Sequence, residues 1–88
     1  MNDTAKGLGL TDSELDQAFS SSHWGERFPP ILTIDQAAEL LSIPKGTLYD
    51  WSSRGLLRDC ARRVGKHLRF ARDRLLKKVF NEGFHDER

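Results

Sequence analysis

The chain has 88 residues, room for one small domain. No apolar run approaches the roughly 18 residues a membrane span needs, and no secretory h-region opens the sequence. Cys60 is the only cysteine, which excludes an internal disulfide and fits a reducing, cytoplasmic setting. The net charge of +1 hides a division: two basic against five acidic side chains over 1–30, eleven against five over 31–80, and one against three over 81–88. Positive charge gathered on the central segment suits a polyanionic partner, although surface Lys and Arg are more often merely solvated.

Taken in order, Met1 to Gly9 is short and polar with two glycines, a pattern that predicts disorder. Thr11-Asp12-Ser13-Glu14 is a capping box, Leu10 and Leu15 stand at staple positions around it, and Ala18 and Phe19 continue the apolar stripe. A helix is expected from Asp12 to about Ser20, closed by the Ser20-Ser21-Ser22 triplet; one this short needs a surface to dock on. His23 to Pro30 reads as a loop carrying Trp24 and Phe28. Pro29-Pro30 favours an extended entry into Ile31 and marks a boundary.

Leu32 to Leu57 reads as two short helices joined by a tight turn. Thr33 caps the first, with Gln36 three residues on to close a second capping box. Ile34, Ala37, Ala38 and Leu41 then fall at i, i+3, i+4 and i+7, one apolar face. Ser42-Ile43-Pro44 breaks the pattern. The second helix is expected from about Pro44 to Arg54 and is stopped by Gly55. Its inward face is Leu48, Trp51 and Ser52; Gly46, Asp50 and Ser53 lie opposite, with Lys45 and Tyr49 between. A helix packed across a second whose far side is small, polar and basic is the helix-turn-helix arrangement.

The period then changes. After a polar connection over Arg58 to Ala61, Arg62-Arg63-Val64 and His67-Leu68-Arg69-Phe70 have strand length, and Gly65-Lys66 between them suits a type II′ turn. Alternation assigns Val64, Leu68 and Phe70 to the inner face and Arg63 and Arg69 to the outer one. A last helix is expected from about Arg72 to Phe80, burying Leu75, Leu76, Val79 and Phe80 in part, with Arg72, Arg74, Lys77 and Lys78 as a solvated face. The acidic tail from Asn81 to Arg88 is expected to fray. The organisation is therefore an N-terminal arm over 1–30 with a short helix near 12–20, a domain over 31–80, and a flexible tail over 81–88.

The run TIDQAAELLSIPKGTLYDWSSRGLL followed by RRVGKHLRF resembles the excisionase-type branch of the MerR-like winged-helix DNA-binding domains. The likeness spans Ile31 to Phe80. It rests on the AAELL first helix, the TLYDW second helix, the RGLL exit and the V-G-K-x-x-R-F hairpin in that order and spacing. It implies a mostly α fold with a small β-hairpin wing, a recognition helix in the major groove, and a wing near 62–70 on the adjacent backbone or minor groove. By position it assigns the groove face to Lys45, Gly46, Thr47, Tyr49, Asp50 and Ser53, and the wing contacts to Arg63, Lys66, His67 and Arg69. Pro44 and Asp50 depart from the family, which usually carries a polar cap and a basic residue there, so individual base contacts do not transfer. The chain also lacks the long dimerising helix and effector domain of full-length MerR regulators, so metal or drug sensing is not implied.

The chemistry of those residues is suited to duplex DNA. Arg63, Lys66, Arg69 and Lys45 can neutralise phosphates without reading sequence. Lys45 can donate to guanine, Asp50 accept from a cytosine amino group, and Ser53 or Thr47 do either. Each has a plainer reading: Asp50 paired with Arg54, Tyr49 half-buried against the wing, Thr47 bonded to its own helix. His23, His67, His85 and Cys60 match no metal-ligand spacing, so no metal or other cofactor is expected. Without a phosphate loop, a nucleophile motif or grouped carboxylates, no enzyme is indicated. The expected partner is double-stranded DNA, for a small transcriptional regulator or an excisionase acting beside an integrase or another DNA-bound protein, with weak self-association on DNA. The competing reading is a protein-interaction module in which Phe19, Trp24 and Phe28 dock a partner and the basic face only solubilises.

Overall fold

Thr33 starts the central helix as its pattern demands: its side chain accepts from the Gln36 backbone N–H while the Gln36 side chain accepts from the Thr33 N–H. In the computed structural model, which describes residues 8–20 and 23–83, five helices and three short strands follow one another. They are α1 (Asp12–Ser20), α2 (His23–Arg27), β1 (Ile31–Leu32), α3 (Ile34–Leu41), α4 (Lys45–Ser53), β2 (Ala61–Val64), β3 (His67–Ala71) and α5 (Arg72–Glu82). The fold is mostly helical, with a small antiparallel sheet in the order β1-β3-β2. Residues 1–7, 21–22 and 84–88 lie outside the described residues, and with them most of the leader and tail expected to be disordered and part of the serine triplet.

Helices α3 and α4 pack through the faces their spacing predicts. Ala37, Ala38, Leu48 and Trp51 are buried, with Ile34 and Leu41 half-buried against them. The turn between them is made by Ser42 in the left-handed region at φ 57°. The backbone N–H of Ile43 donates to the Ala38 carbonyl at 3.0 Å, closing the helix end. Pro44 is the N-cap of α4 rather than its first residue, and it offers no side-chain cap. A non-glycine residue in the left-handed region costs about 1 kcal/mol. Ser42→Gly should therefore raise stability by about 0.5–1 kcal/mol in urea denaturation, and an unchanged or lower midpoint would show that the Ser42 side chain contributes more than its backbone costs.

The sheet differs from expectation in two respects. β1 was not legible as a strand, being two residues long; it exists through its ladder with β3, where Ile31 pairs with Ala71 and Leu32 with Phe70. In the hairpin, Gly65 takes φ +65° and Lys66 no positive φ, as a type II′ turn requires. That two-residue loop sets Val64 opposite His67, Arg63 opposite Leu68, Arg62 opposite Arg69 and Ala61 opposite Phe70. Cross-strand partners share a face, so Val64 lies with His67 on the outer face and is 60% exposed. Arg63 shares the side of the buried Leu68 and Phe70, the reverse of the sequence-based assignment.

The core gathers Leu32, Leu48, Leu57, Phe70 and Leu75, all fully buried. The N-terminal segment completes it. His23–Arg27 forms the short helix α2 rather than a loop, Phe28 is buried in the core, and Trp24 stacks on Phe28 at 5.9 Å between ring centroids while staying part-exposed. Leu15 is buried and Phe19 half-buried; Ala18, expected in the stripe, is exposed. Arg72, expected in the solvated face, is buried at 7% exposure. Its Nη1 donates to the Phe28 carbonyl at 2.8 Å, its Nε meets Asp73 at 2.8 Å, and its guanidinium lies 3.9 Å from the centre of the Phe19 ring. Lys77 pairs with Asp12 at 2.7 Å, and Leu10 and Asn81 exchange two hydrogen bonds. α5 continues to Glu82, so Asn81 and Glu82 are helical rather than frayed, and Phe80 is exposed.

Candidate nucleic-acid interface

The outward face of α4 is set by what its opposite face buries. With Leu48 and Trp51 inside, Lys45, Gly46, Tyr49, Asp50 and Ser53 are exposed and Thr47 is half-buried. The ionic groups on this face are already engaged. Lys45 Nζ lies 2.9 Å from Asp35 on α3, and that carboxylate, through its hydrogen bond and then its charge, raises the lysine above its ordinary range. Asp50 pairs with Arg54 one turn on at 3.1 Å, and the Ser53 hydroxyl donates to the Asp50 carbonyl at 3.1 Å. Both ion pairs are solvent-exposed and screened by water, so a competing phosphate or base edge can displace them. Tyr49 is 51% exposed.

The hairpin is electrostatically different. Arg63, Lys66 and His67 are exposed and Arg69 is half-buried. Arg63 Nη1 donates to the Lys66 carbonyl at 3.4 Å and Arg69 Nη1 to the Leu68 carbonyl at 3.1 Å. Among the described residues Arg27, Lys45, Arg54, Arg72, Lys77 and Lys78 are ion-paired, whereas Arg58, Arg62, Arg63, Lys66, Arg69 and Arg74 have no carboxylate partner. Five of those six unpaired cations fall between 58 and 69. Arg62 and Arg69 stand directly opposite each other on the outer face of the sheet, where like charges destabilise a strand pair.

Arg63 and Arg69 project to opposite faces rather than one. Sequence reasoning passed over Arg58 and Arg62, although a signal was present: residues 60–72 hold five cations and no acidic side chain. Among the described residues no group of three or more His, Cys, Asp and Glu side chains is arranged to hold a metal ion. Cys60 is buried, and burial pushes its thiol up to about 11, away from nucleophilic use. No helix of the described residues is long and apolar enough to cross a membrane.

A family model described as a helix-turn-helix domain matches residues 31–77, from β1 into α5. No curated protein and no solved structure matches the chain.

Proposed function

The chain belongs to the helix-turn-helix domain family, and from that premise we propose that it binds specific double-stranded DNA, with α4 in the major groove and the β2–β3 hairpin as a wing on the adjacent backbone or minor groove. The observation that carries this reading is the concentration of unpaired cations between Arg58 and Arg69. A domain that pairs all but one of its other described cations with carboxylates and leaves these without is suited to phosphates, which supply most of the affinity for duplex DNA. The near-neutral face of α4 suits base reading, where hydrogen-bond geometry matters more than net charge. Lys45 leaves Asp35 to donate to a guanine edge, Thr47, Tyr49 and Ser53 flank it, and Asp50 orients Arg54 through their ion pair. Arg63, Lys66, His67 and Arg69 serve as the wing contacts.

Gly46 gives a direct check on where the duplex lies. It is exposed near the start of α4, and a Cβ there would meet nothing within 4 Å. In the free protein Gly46→Ala should therefore gain up to about 1 kcal/mol of helix stability. On DNA the added methyl takes the space of a close backbone approach, so affinity should fall while the melting temperature rises. Equal or tighter binding together with a higher melt would move the duplex away from the start of α4.

Within this reading the protein is a small MerR-like winged-helix regulator or an excisionase. The order of the AAELL, TLYDW, RGLL and V-G-K-x-x-R-F segments supports the domain type common to both roles, with an integrase or another DNA-bound protein as companion in the second and weak self-association on tandem sites; an adjacent integrase gene would favour the excisionase. The alternative, a protein-docking arm of exposed aromatics, is disfavoured because Phe28 is in the core and Trp24 stacks on it. Fluorescence anisotropy with a random-sequence duplex at low and high salt tests the proposal. Binding should weaken steeply with salt, and selection from a random duplex pool should return a preferred site. Salt-insensitive or absent binding would sink the reading.

A further inference from the structure

An open groove of about 430 Å³ runs between the C-terminal end of α4 and the edge strand β2. Its polar lining includes Ser52, Arg54, Arg58, Arg62 and Arg63, and no carboxylate lines it. The Arg58 guanidinium lies over Gly55. That residue ends α4 at φ +78°, and a Cβ on it would stand 2.8 Å from Arg58 Nη2, so the bare Cα leaves the space the guanidinium occupies. Arg62 folds back over the same turn, its Nη1 donating to the carbonyls of Arg58 at 3.0 Å and Ala61 at 3.3 Å. A guanidinium has five N–H donors, and these carbonyl contacts use few of them. Both arginines thus line one groove, neither with an ion pair among the described residues, beside both elements assigned to DNA.

We propose that this groove holds a phosphodiester of the DNA strand bordering the major groove that α4 enters, with Arg58 and Arg62 as its clamp. The inference rests on the DNA-binding reading and adds to it a backbone site between recognition helix and wing. A duplex seated on α4 brings its backbone past the flank of that helix, and Arg fits phosphate with paired, charge-assisted donors.

The test is a salt series of anisotropy titrations on a random-sequence duplex, using the full chain and three variants. In the pair Arg58→Gln with Arg62→Gln, the slope of log affinity against log salt should shrink in magnitude by about 0.9, one phosphate contact, on every duplex sequence. The pair Arg58→Lys with Arg62→Lys keeps the charge and should keep the slope. Arg74→Gln removes a cation that has no carboxylate partner among the described residues and lies outside the groove, and should also leave it unchanged. Circular-dichroism melts accompany each variant, and binding is compared below the lowest midpoint so that a fold defect does not pass for a lost contact. An unchanged slope in the Gln pair, with the unsubstituted chain binding duplex normally, would overturn the groove alone. A slope lowered equally by Arg74→Gln would also overturn it, since the effect would then be one of total charge. Absence of salt-dependent binding in the unsubstituted chain would overturn the DNA-binding reading and the groove with it.

Discussion

Arg72→Ala should cost about 3 kcal/mol of unfolding free energy, the largest loss expected from any single surface-type residue in this chain. The buried Phe28 carbonyl loses its donor, for which an unsatisfied buried group costs about 1–3 kcal/mol. The cation stacked on Phe19 disappears, worth about 0.5–2 kcal/mol depending on its desolvation. The aliphatic stem leaves a void between α5 and the N-terminal segment. Against a total of about 5–15 kcal/mol for a small domain, this is a substantial share. Arg72→Lys keeps the charge but cannot span both Asp73 and the Phe28 carbonyl with one ammonium, so an intermediate loss is expected. Urea denaturation monitored by tryptophan fluorescence reads both variants. A loss below about 0.5 kcal/mol for Arg72→Ala would mean that the residue does not tie the N-terminal segment to the domain.

That role for Arg72 was hidden because its burial depends on partners over 40 positions away in the chain. By position it sits in a helix with Arg74, Lys77 and Lys78, and a charged helix face is normally solvated. What was legible was local. The Thr33–Gln36 capping box and the apolar spacing of α3 are short-range signals, as is the glycine-led turn of the hairpin. The strand faces failed for a traceable reason. Arg62-Arg63-Val64 offers a single apolar residue to set the alternation, and the hydrophobic reading placed it inside. The turn decides otherwise: a two-residue loop makes Val64 the partner of His67, and with Leu68 buried the adjacent position belongs to the other face. The helix α2 and strand β1 are too short to carry a period and are held by tertiary contacts. The Lys45–Asp35 pair joins two helices and could not be read from helical spacing alone.

The corrected register changes what the hairpin variants should do. With Arg63 and Arg69 on opposite faces, no one phosphate is gripped by both, and the two contacts are expected to act independently. Arg63→Ala and Arg69→Ala should each lower the magnitude of the salt slope by about 0.9, and the double variant by about 1.8. Affinity should fall alike on preferred and random duplexes, because phosphate contacts carry no sequence information. Arg69→Ala carries a small compensation in stability, since it removes the like-charge opposition with Arg62. Its thermal midpoint should therefore hold or rise slightly while its affinity drops. The losses should also add, as expected for sites without a shared partner. A double variant no weaker than either single one would mean that only one face of the hairpin meets the duplex. A full salt slope in the double variant would move the backbone contacts off the wing altogether.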